Sequence, residues 1–494
     1  MPSFDAIVIG GGTNGMAAAG RLAKAGQKVL LLEGRSTLGG GVELSHLINV
    51  LDNRVEKELQ LAKHGLSYAD DNVGTTALST TGEHLVFGGS SGETLSGASS
   101  SEAKAWSELR ARLLAHAATL KPFKQMTPPR LAHKVGNDML SLAKHGLGLR
   151  MRGKDALQDF LRLLLINVFD VLDDELTDDR LKGLIAHDTV LGAFMGPRSP
   201  NSLMLLLNRI AGGALKYPKG GVASVTAAMS KAIAALGVET RTNANVQSLV
   251  IENDKAVGVI VGGERVDAER VVSAINPQTT FIKLVGTRHL DVGFMRKVEA
   301  IRMRGSVAKL NLTLKAAPDF RGADLRSRLV IAPSSKTVEE QFNFIKYNEV
   351  SPEPVMEIVL PSAFEGGPHR LSANVQFAPT TPKGGWAKAK PAFLKAIMKQ
   401  LELHAPGISK LVTSTELLTP EDIEKQYGLI GGNWHHGELA VERMLFLRPF
   451  GGMAQYETPL TGLYLASAGA HPGGGISGAA GWNAANHILK EKRA

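Results

Sequence analysis

The alternation of apolar runs and glycine-rich breaks predicts an α/β protein that opens with a strand–helix–strand unit. Asp5-Ala6-Ile7-Val8-Ile9 is short, β-branched and free of Pro, the pattern of a buried strand. Gly10-Gly11-Gly12-Thr13-Asn14-Gly15 follows, and Met16 to Ala25 is Ala-rich and reads as a helix that Gly26 stops. Lys28-Val29-Leu30-Leu31-Leu32 predicts a second strand ending at Glu33. Leu44 to Gly65 mixes polar and apolar residues at helical spacing. Thr75 to Gly88 carries paired short strands, and Ser90 to Ser101 predicts a loose Gly/Ser loop. Ala103 to Leu120 reads as a helix broken by Pro122, and a long helical region runs from about Leu131 to Ile210.

Tyr217-Pro218-Lys219-Gly220-Gly221 starts a new unit, with a helix over Val222 to Leu236. Strands follow at 238–241, 246–250, 256–261 and 270–274, and a further sheet at 306–314, 328–332, 355–360 and 370–377. A helix at Ala389–His404 leads through Pro- and Gly-rich loops to Trp434-His435-His436. The end repeats the beginning: a strand at Gly462–Ala468, a turn at His471-Pro472-Gly473-Gly474-Gly475, and a helix over Ile476 to Leu489.

The opening glycines fit G-x-G-x-x-G between a strand and a helix, with an acid at the tip of the next strand. Gly10 permits the tight turn, Gly12 lets a pyrophosphate approach the backbone, and Gly15 lets the helix pack close. The helix N-terminus offers N–H groups to phosphates, and Glu33 can accept hydrogen bonds from ribose hydroxyls. This context predicts dinucleotide binding. A second cluster, Leu38-Gly39-Gly40-Gly41, resembles FAD-binding Rossmann proteins. No second G-x-G-x-x-G with strand–helix context occurs, so a separate NAD domain is not expected.

Composition narrows the chemistry. With 494 residues, two or three structural units are expected. The absence of Cys excludes disulfides, thiolate metal sites and cysteine nucleophiles, so redox chemistry must come from a bound cofactor. No His/Glu motif of the H-E-x-x-H kind appears, and no metal site is expected. The net charge of +9 reads mainly as a solvated basic surface, and no nucleic-acid module is present. Met1 to Phe4 leads straight into the first strand, so no signal peptide is expected, nor a membrane-spanning helix. A cytoplasmic location is expected. Leu140–Arg152 and Leu157–Leu172 are basic and amphipathic. They can lie in a membrane interface as a peripheral contact or cover the core as a lid, and pattern leaves both open.

The chain resembles the phytoene desaturase-like FAD-dependent oxidoreductases, nearest the pyridine nucleotide-disulphide oxidoreductase domain-containing protein two subgroup. The matching stretches are Gly10–Gly15 with Glu33 and Gly39-Gly40, Ile185–Gly192, Tyr217–Gly221, Val246 to Pro277, Leu429–Leu439, and Gly462 to Ala485. The most specific is Ala470-His471-Pro472-Gly473-Gly474-Gly475-Ile476-Ser477-Gly478-Ala479-Ala480-Gly481. The resemblance implies FAD along Gly10, Gly12, Thr13, Asn14, Gly15, Glu33, Gly34, Arg35, Gly39 and Gly40, with Val246 on the adenine side. Gly469, Gly474, Gly475 and Ile476 would line the flavin end. It also implies a discontinuous Rossmann-type FAD domain (1–75, 213–290 and 440–494), a mixed-sheet substrate domain (76–100 and 291–439) and a helical cap (101–212).

The expected function is an FAD-dependent dehydrogenase or desaturase that passes hydride from an apolar, lipid-like or amine substrate to flavin N5, with oxygen or a quinone as acceptor. His436 and His471, with His435, are candidate bases because imidazole titrates near neutrality, though each reads first as a structural or pocket-lining histidine. Asp188 and Glu438 read as hydrogen-bonded helix or turn acids. Two other readings use the same site: a flavin-dependent double-bond isomerase, and a flavin-stabilised membrane-associated binding protein. The second is motivated by the short passage from Gly41 to Asp52–Leu66, where relatives carry a longer segment.

Overall fold

The computed structural model describes residues 3–130 and 153–491. The 131–152 stretch of the expected helical region, including Leu140–Arg152, lies outside the described residues.

The first layer grows from the opening unit. Strand β1 (Phe4–Ile9), helix α1 (Thr13–Lys24) and strand β2 (Val29–Leu32) place β1 and β2 side by side in parallel, with Ile7 opposite Leu30. Strand β3 (Glu264–Ser273) lies parallel on the other side of β1, with Ile7 opposite Val271. Both faces of β2 and of β1 past Asp5 are buried, which is why 6–9 and 29–32 read as unbroken apolar runs. Glu239–Arg241 extends one edge of this seven-stranded sheet. Lys255–Val261 and Val246–Glu252 extend the other, and Leu463–Leu465 pairs with β3.

The second sheet has eight strands and is mixed. Its centre is β4 (Val307–Leu314), β5 (Arg328–Ile331), β6 (Met356–Val359) and β7 (Arg370–Gln376), in the spatial order β4-β7-β6-β5. Thr75–Ala77 joins β5 in parallel, so an early segment completes a sheet made mostly of residues past 300. Val412–Leu418 closes the far edge beside β4.

Several elements differ from the pattern-based expectation. The Ser90 to Ser101 segment is not a loose loop. Thr94–Ser96 pairs as an edge strand with Leu85–Gly88, and the Ser99 hydroxyl accepts from the Glu102 N–H at 3.2 Å to cap helix α2 (Ser100–Lys124). Nor does Pro122 break α2, because its last carbonyls are held from outside. Phe123 O accepts from His471 Nε2 at 2.7 Å and Lys124 O from Asn483 Nδ2 at 3.0 Å. A helix over Ser335–Lys346 went unread, although Ser334 caps it and Val338, Phe342 and Ile345 form its buried stripe. Two more helices matter below: α3 (Ser202–Gly212) and α4 (Ala479–Glu491). Residues 476–478, expected in α4, precede it, because Gly475 and Gly478 have φ of +101° and +67°, outside the right-handed helical region.

Candidate functional site

The two ends of the chain meet. A Cβ on Gly481 would stand 1.8 Å from Asn14 O, so only glycine lets α4 lie this close to α1. Gly481 N–H reaches Asn14 Oδ1 at 3.5 Å, and Arg21 Nε donates to Asn486 Oδ1 at 2.7 Å. Gly15 does the same for α1 against β1, since a Cβ there would stand 1.8 Å from Gly10 O.

Beside this junction lies a cavity of about 480 Å3. The expected cofactor residues Gly10, Gly12, Thr13, Asn14, Glu33, Gly34, Arg35, Gly39, Gly40, Val246, Gly475 and Ile476 line it, and so does His436. Gly15 stands behind the wall. Gly469 packs on Pro277, where a Cβ would approach to 2.6 Å. Gly474 and His471 line a second cavity of about 240 Å3. Gly475 lines both.

The α1 end of the large cavity combines backbone donors with an anchored carboxylate. No side chain caps α1, so its first-turn amides face the space that Thr13 and Asn14 line. Nothing would stand within 4 Å of a Cβ on Gly12. Glu33 is buried, and its carboxylate accepts from Gly11 N at 2.7 Å and Arg35 N at 2.8 Å. Both oxygens keep a lone pair for a further donor. Arg35 donates to Gly40 O at 2.8 Å, and its guanidinium lies 4.8 Å from the Tyr427 ring centroid, beside Val246 in the cavity wall.

The opposite wall is a row of polar side chains on the second sheet. In register across β4, β7 and β6 stand Lys309, Asn374 and Glu357. Arg328 continues the row on β5 and forms a bidentate pair with Asp188 at 2.6 and 2.7 Å. It also reaches Glu357 at 3.1 Å and Thr75 Oγ1 at 3.1 Å. Asn374 Nδ2 donates to Glu357 Oε1 at 2.9 Å, and Lys309 Nζ donates to Leu44 O at 3.2 Å and His46 Nδ1 at 2.8 Å. Burial pushes the Lys309 ammonium down to about 7 against the pull of Glu357. Burial pushes the Asp188 carboxyl up, but Arg209 and Arg328 outweigh it and hold it far below the usual carboxylate range. Among the described residues, the buried Asn374 Oδ1 and His46 Nε2 have no hydrogen-bond partner.

The histidines divide. His436 Nδ1 is buried without a partner among the described residues, and burial with the nearby Arg448 lowers its pKa to about 4. His435 Nε2 accepts from Trp434 Nε1 at 2.9 Å. Glu438, read as a turn acid, pairs with Arg304, at 2.9 Å for one of two contacts.

Residues 8–68 match the family model of an NAD(P)-binding Rossmann-like domain, and residues 201–489 match that of flavin containing amine oxidoreductases. The chain belongs to the flavin containing amine oxidoreductase family. It is 28% identical over 545 residues to pyridine nucleotide-disulfide oxidoreductase domain-containing protein 2 of Rattus norvegicus, covering 99% of this chain and 94% of that one. It is also 24% identical over 313 residues to a lycopene-forming phytoene desaturase of a Paracoccus species, covering 60% of this chain and 58% of that one. The structure of cyclohexylamine oxidase from Brevibacterium oxydans superposes with a TM-score of 0.58 at 16% identity, over 100% of both chains, a likeness of fold. The protein is thus a flavin-dependent oxidoreductase with a mixed α/β, Rossmann-type architecture, as its opening unit predicted.

A flavin nucleotide fits the large cavity: the uncapped α1 end, the open space at Gly12 and the anchored Glu33 carboxylate lie along one wall. The expected helix end at Ile476 needs correcting. The α4 N-terminus is already engaged, with Ala479 N donating to Ser477 Oγ at 3.2 Å, and the cavity meets the preceding loop at Gly475 and Ile476 instead. Sequence reasoning missed the polar row, and Asp188 was read only as a helix acid. A signal existed for two of the four: Arg328 and Glu357 are the lone charges in short, otherwise apolar strands, and charged residues are rarely fully buried without a partner, whereas Lys309 and Asn374 sit among other polar residues in alternating strands.

Proposed function

We propose that this protein is an FAD-dependent dehydrogenase or desaturase that takes hydride from a C–H bond next to carbon or nitrogen. The observation that carries this reading is one cavity lined both by the start of α1 and by Gly475 and Ile476. FAD, when bound, supplies the hydride acceptor at N5. The chain's own residues would do the rest. Glu33 accepts from ribose hydroxyls, the α1 amides face the diphosphate, and Val246 and Tyr427 flank the adenine side. His436 is neutral at pH 7 and lines the cavity, and with a pKa of about 4 it serves as a hydrogen-bonding wall residue rather than as a store for the proton that leaves separately from the hydride. The paired charges of the polar row hold the second sheet's wall rigid.

The phytoene desaturase among its relatives supports C–H/C–H chemistry, and the cyclohexylamine oxidase fold supports an amine. The proposed electron acceptor is oxygen or a quinone. Among the described residues no helix is long and apolar enough to cross a membrane. Leu161 and Leu165 are 49% and 69% exposed on either side of Arg162, which supports a peripheral lipid contact that co-sedimentation with anionic vesicles would test.

The deciding experiment is the visible spectrum of the purified protein, followed by anaerobic titration with polyenes, amines and lipid extracts. An oxidised flavin spectrum that bleaches with one class is expected. A colourless protein that takes up no FAD overturns the proposal, and anaerobic turnover that consumes no acceptor would assign isomerisation instead.

A further inference from the structure

The second cavity is positively charged beyond what its own carboxylates balance. Five cations line it (Lys121, Lys124, Arg209, Arg443 and Arg448) against two acids, Asp52 and Asp188. Both acids are already engaged. Asp52 takes two hydrogen bonds from the Arg54 guanidinium, at 3.0 and 2.7 Å, and Asp188 takes both from Arg328.

Among the described residues the cations are less well matched, and Arg209 alone of the five reaches a carboxylate, the already engaged Asp188. The described hydrogen bonds of Arg448, which is buried, all go to backbone carbonyls: Ala468 O, Arg443 O, His435 O and Gly437 O. Lys124 Nζ donates to Asn208 O at 3.1 Å. Arg209 approaches Asp188 only at 3.5 Å, and among the described residues its guanidinium makes no hydrogen bond. Burial lowers the Lys124 ammonium to about 8, with Lys121 adding to it against Asp52, and lowers the Arg448 guanidinium to about 10, with Arg443 adding to it. Buried cations with spare donors are costly unless an anion completes them.

The remaining wall is apolar, including Leu191, Leu205, Leu439 and Met444. The two cavities also share a boundary at Asn49, Val50, Leu191, Arg209 and Gly475, so a molecule in the smaller one abuts the flavin end of the larger.

We propose that the second cavity is the substrate chamber and takes an amphipathic anion, with a carboxylate or phosphate head on Arg209 and an apolar body against Leu205, Leu439 and Met444. The guanidinium fork matches either head, and a guanidinium with no hydrogen bond of its own has all its donors to give. This assignment rests on the oxidoreductase reading for the identity of the neighbouring cavity. It replaces a purely apolar or cationic substrate with one bearing negative charge.

The test is calorimetric titration of the FAD-loaded protein with octanoate, octyl phosphate, octanol and octylamine, with the flavin spectrum recorded in parallel. At least one of the two anions binds tenfold or more tighter than octanol, octylamine binds weakest, and the tighter anion shifts the flavin bands. Whichever anion binds identifies the head group. Arg209→Gln abolishes the preference in a variant whose cooperative unfolding shows that it is folded, and Arg209→Lys retains part of it. If Arg209→Gln fails to fold, Lys124→Gln on the other wall should still weaken the anion several-fold. Equal binding of the four probes, tighter binding of octylamine, or an anion preference unchanged in the folded variants overturns the proposal. Calorimetry needs no flavin. An anion preference in a protein that takes up no FAD therefore overturns the oxidoreductase reading and leaves the anion site standing.

Discussion

Glu33 gives one carboxylate oxygen to Gly11 N–H and the other to Arg35 N–H, so it shapes the turn before it meets any ligand. Glu33→Gln puts an amide donor where an N–H already points. We expect a loss of about 1–3 kcal/mol in stability and FAD affinity weakened by ~10-fold or more, about 1.4 kcal/mol. Fluorescence titration and chemical unfolding measure the two separately. Histidine titration gives a second expectation at this scale. Burial holds His46, His435 and His436 below the ordinary 6.5, at about 3, 3 and 4. The unfolded chain therefore takes up these protons first as pH falls. Their contribution to stability is fully present above pH 6.5 and is lost toward the folded-state values, by about 1.4 kcal/mol per pH unit for each group. His436→Asn, which suits the left-handed backbone at that position (φ 56°), should flatten unfolding free energy against pH between 6.5 and 4.5 by about one proton.

Among the elements, the second sheet carries the largest electrostatic risk. Its row holds together because Asp188, delivered by the helix Asp179–Val190, neutralises Arg328. Asp188→Asn leaves a buried guanidinium short of charge and should cost about 3–5 kcal/mol, whereas Asp188→Asn with Arg328→Met should recover part of that loss. Urea unfolding of the two variants decides it. This row also marks where reading the sequence stopped. The β1-α1-β2 unit was legible because its signals are local: a β-branched run, glycines at fixed offsets and an acid at the strand tip. The row is legible only once register is known, since Lys309, Asn374 and Glu357 become neighbours through pairing of strands about 17 to 65 residues apart. Arg209 was equally hidden. On α3 it reads as an ordinary polar position, and only folding turns it toward two cavities. The α4 boundary was misread by three residues because an apolar Ile476 looks helical while its glycine neighbours forbid it.

At the scale of the whole molecule, a ligand in the large cavity touches both ends of the chain and both sheets, so binding and stability are linked. A flavin bound there at one hundred times its dissociation constant should add about 2.7 kcal/mol to unfolding, and stripping it should lower the melting temperature in one cooperative step. Gly481→Val would force α4 off α1 by overpacking at the 1.8 Å contact. We expect a loss of about 1–3 kcal/mol or more, together with poor FAD retention, read by calorimetry and by absorbance ratio.

Asn14 and Gly481 lie 467 residues apart, yet they touch. During synthesis the nascent chain must therefore carry α1 without α4 beside it for roughly 20 to 90 seconds at ordinary elongation rates. Throughout that interval the small-residue flank of α1 has no partner. Folding helpers on the ribosome have something to protect there, and the cavity lined from both ends of the chain closes only after translation has passed α4.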